Sequence, residues 1–146
     1  MSLLDAILWI TLNIYHEARS EPFLGQKAIA HVVYNRAENR DLSVEAVIRE
    51  PLQFSWVHQK KDYWPDDWTA VHIALKAAAE AANEEDFTGG ATYYHHESVS
   101  PAWVFDMEYL GTYGTHLFYK KYTIVVLRPQ SKKIKPLYAQ TNNILE

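Results

Sequence analysis

A mainly helical α+β domain with a small antiparallel β-sheet is predicted for this 146-residue chain. Three observations predict it. Apolar residues recur at helical spacing through the first half of the chain. Gly89-Gly90 then breaks that regime, and tyrosine-rich runs of strand character follow. No internal repeat or linker interrupts the chain, so one compact domain is expected.

Hydrophobic residues make up 48% of the chain and aromatics 14%, enough for a core and too many for global disorder. There is no cysteine, which excludes a disulfide framework, thiolate zinc sites and a cysteine nucleophile. Residues 1–127 hold 10 Lys and Arg against 17 Asp and Glu, a net charge of -7. So acidic a body argues against nucleic acid as a partner. Residues 128–146 carry a net +3, and a basic, solvated C-terminal tail is expected over 129–146. The apolar N-terminal run from Leu3 to Ile14 lacks a basic leader and a small-residue cleavage site, and Asp5 interrupts it. It therefore reads as a core helix rather than a signal peptide. It is also shorter than the roughly 20 residues of a membrane span, so no membrane insertion is expected.

The first helix is predicted over residues 3–18. Leu4, Ile7, Leu8, Thr11, Ile14, Tyr15 and Ala18 share one face, and Trp9, Ile10 and Leu12 fill the other. A helix apolar on all sides is expected to be buried. Glu17 follows Ile14 by three residues and Ile10 by seven, so it emerges on an apolar face. Pro22 forces a boundary and leaves Glu17 in the last turn. Burial and the negative end of the helix dipole both raise its pKa. A carboxyl group so placed suits general acid catalysis near neutral pH.

A second helix is expected over residues 22–39, with Pro22 in its first turn and a stripe of Ala28, Ile29, Val32 and Val33. His31 beside that stripe reads as a satisfied core-edge histidine. Ser43 is a candidate N-cap for a short helix ending before Pro51. Residues 52–65 have no clear period and hold Gln53-Phe54-Ser55-Trp56, Tyr63, Trp64 and Pro65. Such an aromatic loop either binds a ligand or plugs the core. Asp66 or Asp67 can cap a helix over 68–83, with Val71, Ala74, Leu75, Ala78 and Ala82 as its buried face. Glu84-Glu85-Asp86 reads as a solvated acidic turn. Strands are expected over 91–96 and 116–122, separated by a loop from Ser98 to Trp103. Thr123 to Leu127 continues apolar and β-branched.

Taken together, these residues resemble the cell-wall hydrolase family that includes the spore-cortex-lytic enzymes and many phage lysins. The first matching string is Ile14-Tyr15-His16-Glu17-Ala18-Arg19-Ser20-Glu21. It is followed by Gly25-Gln26-Lys27-Ala28-Ile29-Ala30 and Val33-Tyr34-Asn35-Arg36, and then by Gln53-Phe54-Ser55-Trp56. Gly90-Ala91-Thr92-Tyr93-Tyr94-His95 comes next, with Trp103, and then Gly114-Thr115-His116-Leu117-Phe118-Tyr119. The resemblance spans about residues 5–120 and departs from the pattern at Ser20, where the family usually has glycine. It implies a lysozyme-like fold for a catalytic domain over 1–128.

The resemblance further implies cleavage of peptidoglycan glycan strands between N-acetylmuramic acid and N-acetylglucosamine, by a lytic transglycosylase or muramidase. Glu17 then stands where the family has its essential glutamate, and no metal or cofactor is needed. Glu21 is the nearest second acid. A structural part for it, holding Arg19 or capping the second helix, is favoured over an auxiliary catalytic one. Gln53, Phe54, Ser55, Trp56, Tyr93, Tyr94, His95 and Trp103 are the candidate substrate-binding residues. Glu97, Asp106 and Glu108 are further acids without an assigned place. The expected setting is a monomer made in the cytoplasm without a signal peptide. It would reach the wall after release, as phage lysins do.

Two other readings compete. A zinc amidase or peptidase would draw ligands from His95, His96, Glu97 and His116. Against it, neighbours on a strand face opposite ways, and no His-Glu-x-x-His helix is present. A non-catalytic wall-binding module would hold glycan without needing Glu17.

Overall fold

The computed structural model describes residues 2–51, 53–59 and 64–122. Tyr63, the run from Thr123 to Leu127 and the tail over 129–146 lie outside the described residues.

Helix α1 spans Leu3–Ala18. Ser2 opens it with a capping box: its hydroxyl accepts from the Asp5 N–H at 3.1 Å, and Asp5 accepts from the Ser2 N–H at 2.9 Å. Its second half enters the core through Ile10, Ile14, Tyr15 and Ala18. Burial on all sides, as expected from the sequence, does not hold for its first half. Leu3, Leu4 and Leu8 are exposed, because no described element covers that side of the N-terminal turns.

Helix α2, Phe23–Arg40, begins just after Pro22 and ends where Asp41 takes a left-handed φ of 51°. Ala28, Ile29, Val32 and Val33 are fully buried, as their spacing predicts. Helix α3 is Val44–Arg49, capped by Ser43, whose hydroxyl accepts from the Ala46 N–H at 3.0 Å. Helix α4, Ser55–Gln59, is a short turn inside the stretch expected as an irregular loop.

Helix α5, Trp68–Asn83, packs against both α1 and α2. Asp67 is its N-cap; Asp66 instead accepts from the Tyr15 hydroxyl at 2.7 Å. The buried face of α5 is Ala74, Ala77, Ala78 and Ala81, rotated from the expected one. Leu75 is exposed. Small side chains let α5 approach its neighbours closely, and that decided the face over side-chain size.

The acidic turn after α5 is exposed at Glu84 and Glu85, as expected, but Glu84 and Asp86 are also engaged by partners. Glu84 accepts from Lys27 at 3.0 Å and lies 3.0 Å from His31 Nε2. Asp86 accepts from the Thr88 and Gly90 N–H groups and from Asn35 Nδ2 at 2.8–2.9 Å. These acids clamp the turn to α2. They also satisfy His31, which is buried at the core edge as expected.

The sheet is antiparallel, with strand order β1-β3-β2: β1 is Tyr93–His96, β2 Met107–Tyr113 and β3 His116–Lys121. A 3₁₀ turn over Ala102–Asp106 leads into β2. Strand β2 escaped sequence reading because glycine and glutamate break its pattern, and a bulge at Leu110 shifts its register. Phe118, wholly buried, anchors the sheet to the helices. The mainly helical α+β architecture is therefore the one the sequence predicted.

Candidate active site

Glu17 is the penultimate residue of α1, half-buried where the helix leaves the core. Its carboxylate makes no hydrogen bond or ion pair with another described residue. Burial raises its pKa above the ordinary value. Next to it, the His16 ring stacks on Trp56 at 4.5 Å, and Trp56 Nε1 donates to buried Asn13 Oδ1 at 2.9 Å. The α4 turn is thus pinned to α1 one residue before Glu17.

Tyr94 lies within electrostatic reach of Glu17. Its phenol pKa is raised first by burial and then by the Glu17 charge, while the Arg36 charge opposes them. The Tyr94 ring packs on Phe118 and His116, 5.6 and 5.3 Å away.

The Glu21 carboxylate is engaged by the start of β3 and the residue before it. Its Oε1 accepts from the Thr115 N–H at 3.0 Å, from Thr115 Oγ1 at 2.7 Å and from His116 Nδ1. These are structural contacts, though other than the two expected: Arg19 donates to the Tyr15 carbonyl, and no side-chain cap opens α2. Glu21 latches the α1–α2 turn to the β2–β3 hairpin. Gly114, at φ +64°, makes this possible, since a Cβ there would stand 3.0 Å from Glu21 Oε1.

The pleat of the sheet divides the expected substrate-binding residues. Tyr94, Phe118 and His116 share the face toward the helices. Tyr93, His95 and Tyr119 share the opposite face, where Trp103 packs against all three at 5.4–5.6 Å. Phe54 and Trp56 are 2% and 3% exposed and plug the core, the second of the two readings given for them. Ser55 and Gln53 are exposed. The eight residues therefore do not line one surface: Tyr94 faces the helices, Tyr93 and Gln53 flank a separate cleft, and His95 and Trp103 belong to the outer aromatic face.

The residues imagined as zinc ligands do not converge either. His95 lies 2.9 Å from the Tyr119 hydroxyl, His96 bonds Ser98, and His116 bonds Glu21. Among the described residues no three His, Asp or Glu side chains form a metal-binding group.

Two residues that sequence reasoning gave no role stand out. Arg36 donates through Nε to the Thr92 carbonyl at 2.6 Å and through Nη1 to Gln53 Oε1 at 3.2 Å. Its guanidinium lies 5.6 Å from both the Phe54 and Tyr93 ring centres. Thr115 holds Glu21. Spacing along one helix or strand carries no signal for such long-range pairs; only the motif strings containing Arg36 and Thr115 hinted at them.

The model of the cell wall hydrolase family matches residues 20–119. The chain belongs to the cell wall hydrolase family. The match begins three residues after Glu17, so Glu17 lies just outside the matched interval.

This cell wall hydrolase is 36% identical over 108 residues to the spore cortex-lytic enzyme of Halalkalibacterium halodurans. That alignment covers 72% of this chain and 32% of the relative. It is 34% identical over 110 residues to the spore cortex-lytic enzyme of Bacillus cereus, covering 73% of this chain and 41% of the relative. The chain thus spans well under half the length of those relatives. Its fold is similar to the catalytic domain of the germination-specific lytic transglycosylase SleB from Bacillus anthracis. The TM-score is 0.70 and the identity 32%, over 82% of this chain and 97% of that domain. The catalytic domain of the Bacillus cereus SleB protein gives a TM-score of 0.69 at 32% identity, over 80% of this chain and 91% of that one. Both likenesses accord with the lysozyme-like fold that the sequence resemblance implied.

Proposed function

We propose that this chain cleaves peptidoglycan glycan strands between N-acetylmuramic acid and N-acetylglucosamine as a lytic transglycosylase, with Glu17 as its acid and base. The observation that carries the proposal is the state of Glu17: half-buried, unpaired among the described residues, and raised in pKa by burial. A carboxyl group that holds its proton more tightly than an exposed one can donate it to the glycosidic oxygen as the bond to the muramic acid anomeric carbon breaks. The ionised Glu17 then takes the proton from the C6 hydroxyl of the same muramic acid. That oxygen attacks the anomeric carbon and closes an anhydro ring, so no water is consumed.

Support also comes from the commitments of Glu21. Its acceptor oxygen is engaged with Thr115 and His116, which suits a single-carboxylate mechanism with Glu21 as a positioning residue. The likeness to a lytic transglycosylase catalytic domain over 97% of that domain supports the reaction class.

The deciding experiment is digestion of purified peptidoglycan with mass-spectrometric identification of products. Anhydromuramic ends are expected from the wild type and none from a folded Glu17→Gln variant. Reducing muramic ends would replace the transglycosylase with a muramidase, and wild-type activity in the variant would remove Glu17 from the chemistry. A phage-lysin setting, with a monomer meeting the wall after release, belongs to the same proposal. Lysis from within on co-expression with a holin, and none without it, tests that setting.

A further inference from the structure

A cleft of about 490 Å³ opens between the end of α2 and strands β1 and β3. Arg36 and Arg40 stand on its α2 side and Lys120 and Lys121 on its β3 side, with Asn39 and Gln53 completing the polar wall. No carboxylate is among the described residues that line it. Glu50 pairs with Arg40 at 2.6 Å and Glu108 lies 3.9 Å from Lys120. Arg36 and Lys121 have no such partner among the described residues. In a body whose net charge is -7 over residues 1–127, this is a local reversal of sign inside a concavity.

Arg36 is preorganised within it. Two hydrogen bonds and two aromatic rings fix its plane, and Nη2 has no partner among the described residues. A fixed guanidinium with a free N–H suits a carboxylate, and neighbouring lysines add charge without a demand on geometry.

We propose that this cleft is a subsite for the carboxylates of the peptide stem carried by muramic acid. The inference rests on the glycan-strand reading above. Gln53 lines the cleft, and Trp56, three residues further on, stacks on His16, the neighbour of Glu17. A stem tethered to the strand being cut would therefore meet these cations at high effective concentration. Once the muramic acid carboxyl is bound up in the stem's amide, the charges of such a strand are the stem's own. A free phosphate polymer offers anions too, but has no tether that holds it beside Glu17.

The test is calorimetric titration of the full chain with three probes: a muramoyl tripeptide with free carboxylates, its fully amidated analogue, and a glycerol phosphate oligomer. The wild type is expected to bind the free acid about tenfold or more tightly than the amidated form, the scale of one charge-assisted hydrogen bond. That preference should weaken with added salt. Lys120→Gln/Lys121→Gln, and separately Arg40→Gln on the opposite wall, should each lower affinity for the free acid about tenfold and leave the amidated probe unchanged. Equal binding of the acid and amidated probes, no effect of either variant, or tighter binding of the phosphate oligomer would overturn the proposal. Binding needs no turnover, so the two readings separate. Lost glycan cleavage with acid-selective binding intact sinks the reaction alone; cleavage of stem-free glycan without acid-selective binding sinks the subsite alone.

Discussion

The Glu21 carboxylate takes two hydrogen bonds from Thr115, one from its backbone N–H at 3.0 Å and one from its hydroxyl at 2.7 Å, across 94 residues of sequence. This contact fixes the turn that follows Glu17 against the β2–β3 hairpin. Glu21→Ala would leave partly buried donors without an acceptor and cost about 1–3 kcal/mol. Chemical denaturation reads that loss. Glu21→Gln keeps one acceptor oxygen, so a smaller loss is expected, and an equal loss from both variants would assign the effect to charge rather than hydrogen bonding.

Acid should loosen the same latch. Burial alone raises the Glu21 pKa, but the hydrogen bonds from Thr115 and His116 outweigh it and hold the carboxyl below its ordinary value of 4.5. A depressed folded pKa contributes stability that is complete above the unfolded value and is lost as pH falls through the folded value. The Tm gap between wild type and Glu21→Gln should therefore be widest above about pH 4.5 and close on acidification. A gap that widens in acid would contradict the latch.

Glu17 should show the opposite sign. Its folded pKa is raised, so its effect on stability is most favourable below the ordinary value of 4.5 and is lost as pH rises through the folded pKa. Glu17→Gln removes an unpaired carboxylate and should raise Tm at neutral pH, with the gain vanishing in acid. Scanning calorimetry across pH checks this.

In activity the same variant should fall by about 10²–10⁴-fold, the usual weight of a positioned general acid. In the wild type, the deprotonation that ends acid catalysis should fall above the ordinary glutamate value. A pH–rate profile on soluble glycan strands measures it.

Gly114→Ala should be costly for two separable reasons. Its φ of +64° is strained for alanine by about 1–2 kcal/mol. The added methyl would also stand 3.0 Å from Glu21 Oε1 and 3.1 Å from Pro22 Cδ. If the methyl disturbs the latch, combining Gly114→Ala with Glu21→Ala should cost less than the sum of the two single changes.

Much of the fold was legible because it is local. Ser2, Ser43 and Asp67 cap their helices as short polar side chains do, and the α2 stripe is buried as its spacing requires. Strand β2 was missed because Gly111 and the Leu110 bulge interrupt its alternation. The expected face of α5 holds at Ala74 and Ala78 but not at Leu75, because helix approach, set by these alanines with Ala77 and Ala81, mattered more than side-chain size. Tyr93 and Tyr94 were grouped by type, although neighbours on a strand face opposite ways.

By itself the sequence determined helices α1, α2, α3 and α5, the switch to strands after Gly89-Gly90, and the place of Glu17 in a last helical turn. Each follows from spacing over a few residues, where chain geometry alone sets which side chains share a face. Tertiary structure alone decided that Glu21 serves the hairpin, that Asp86 and Glu84 clamp α2, and that Arg36 sits with Lys120 and Lys121 around one cleft. Those pairings join residues tens of positions apart. They depend on how whole elements pack, and no local period encodes that.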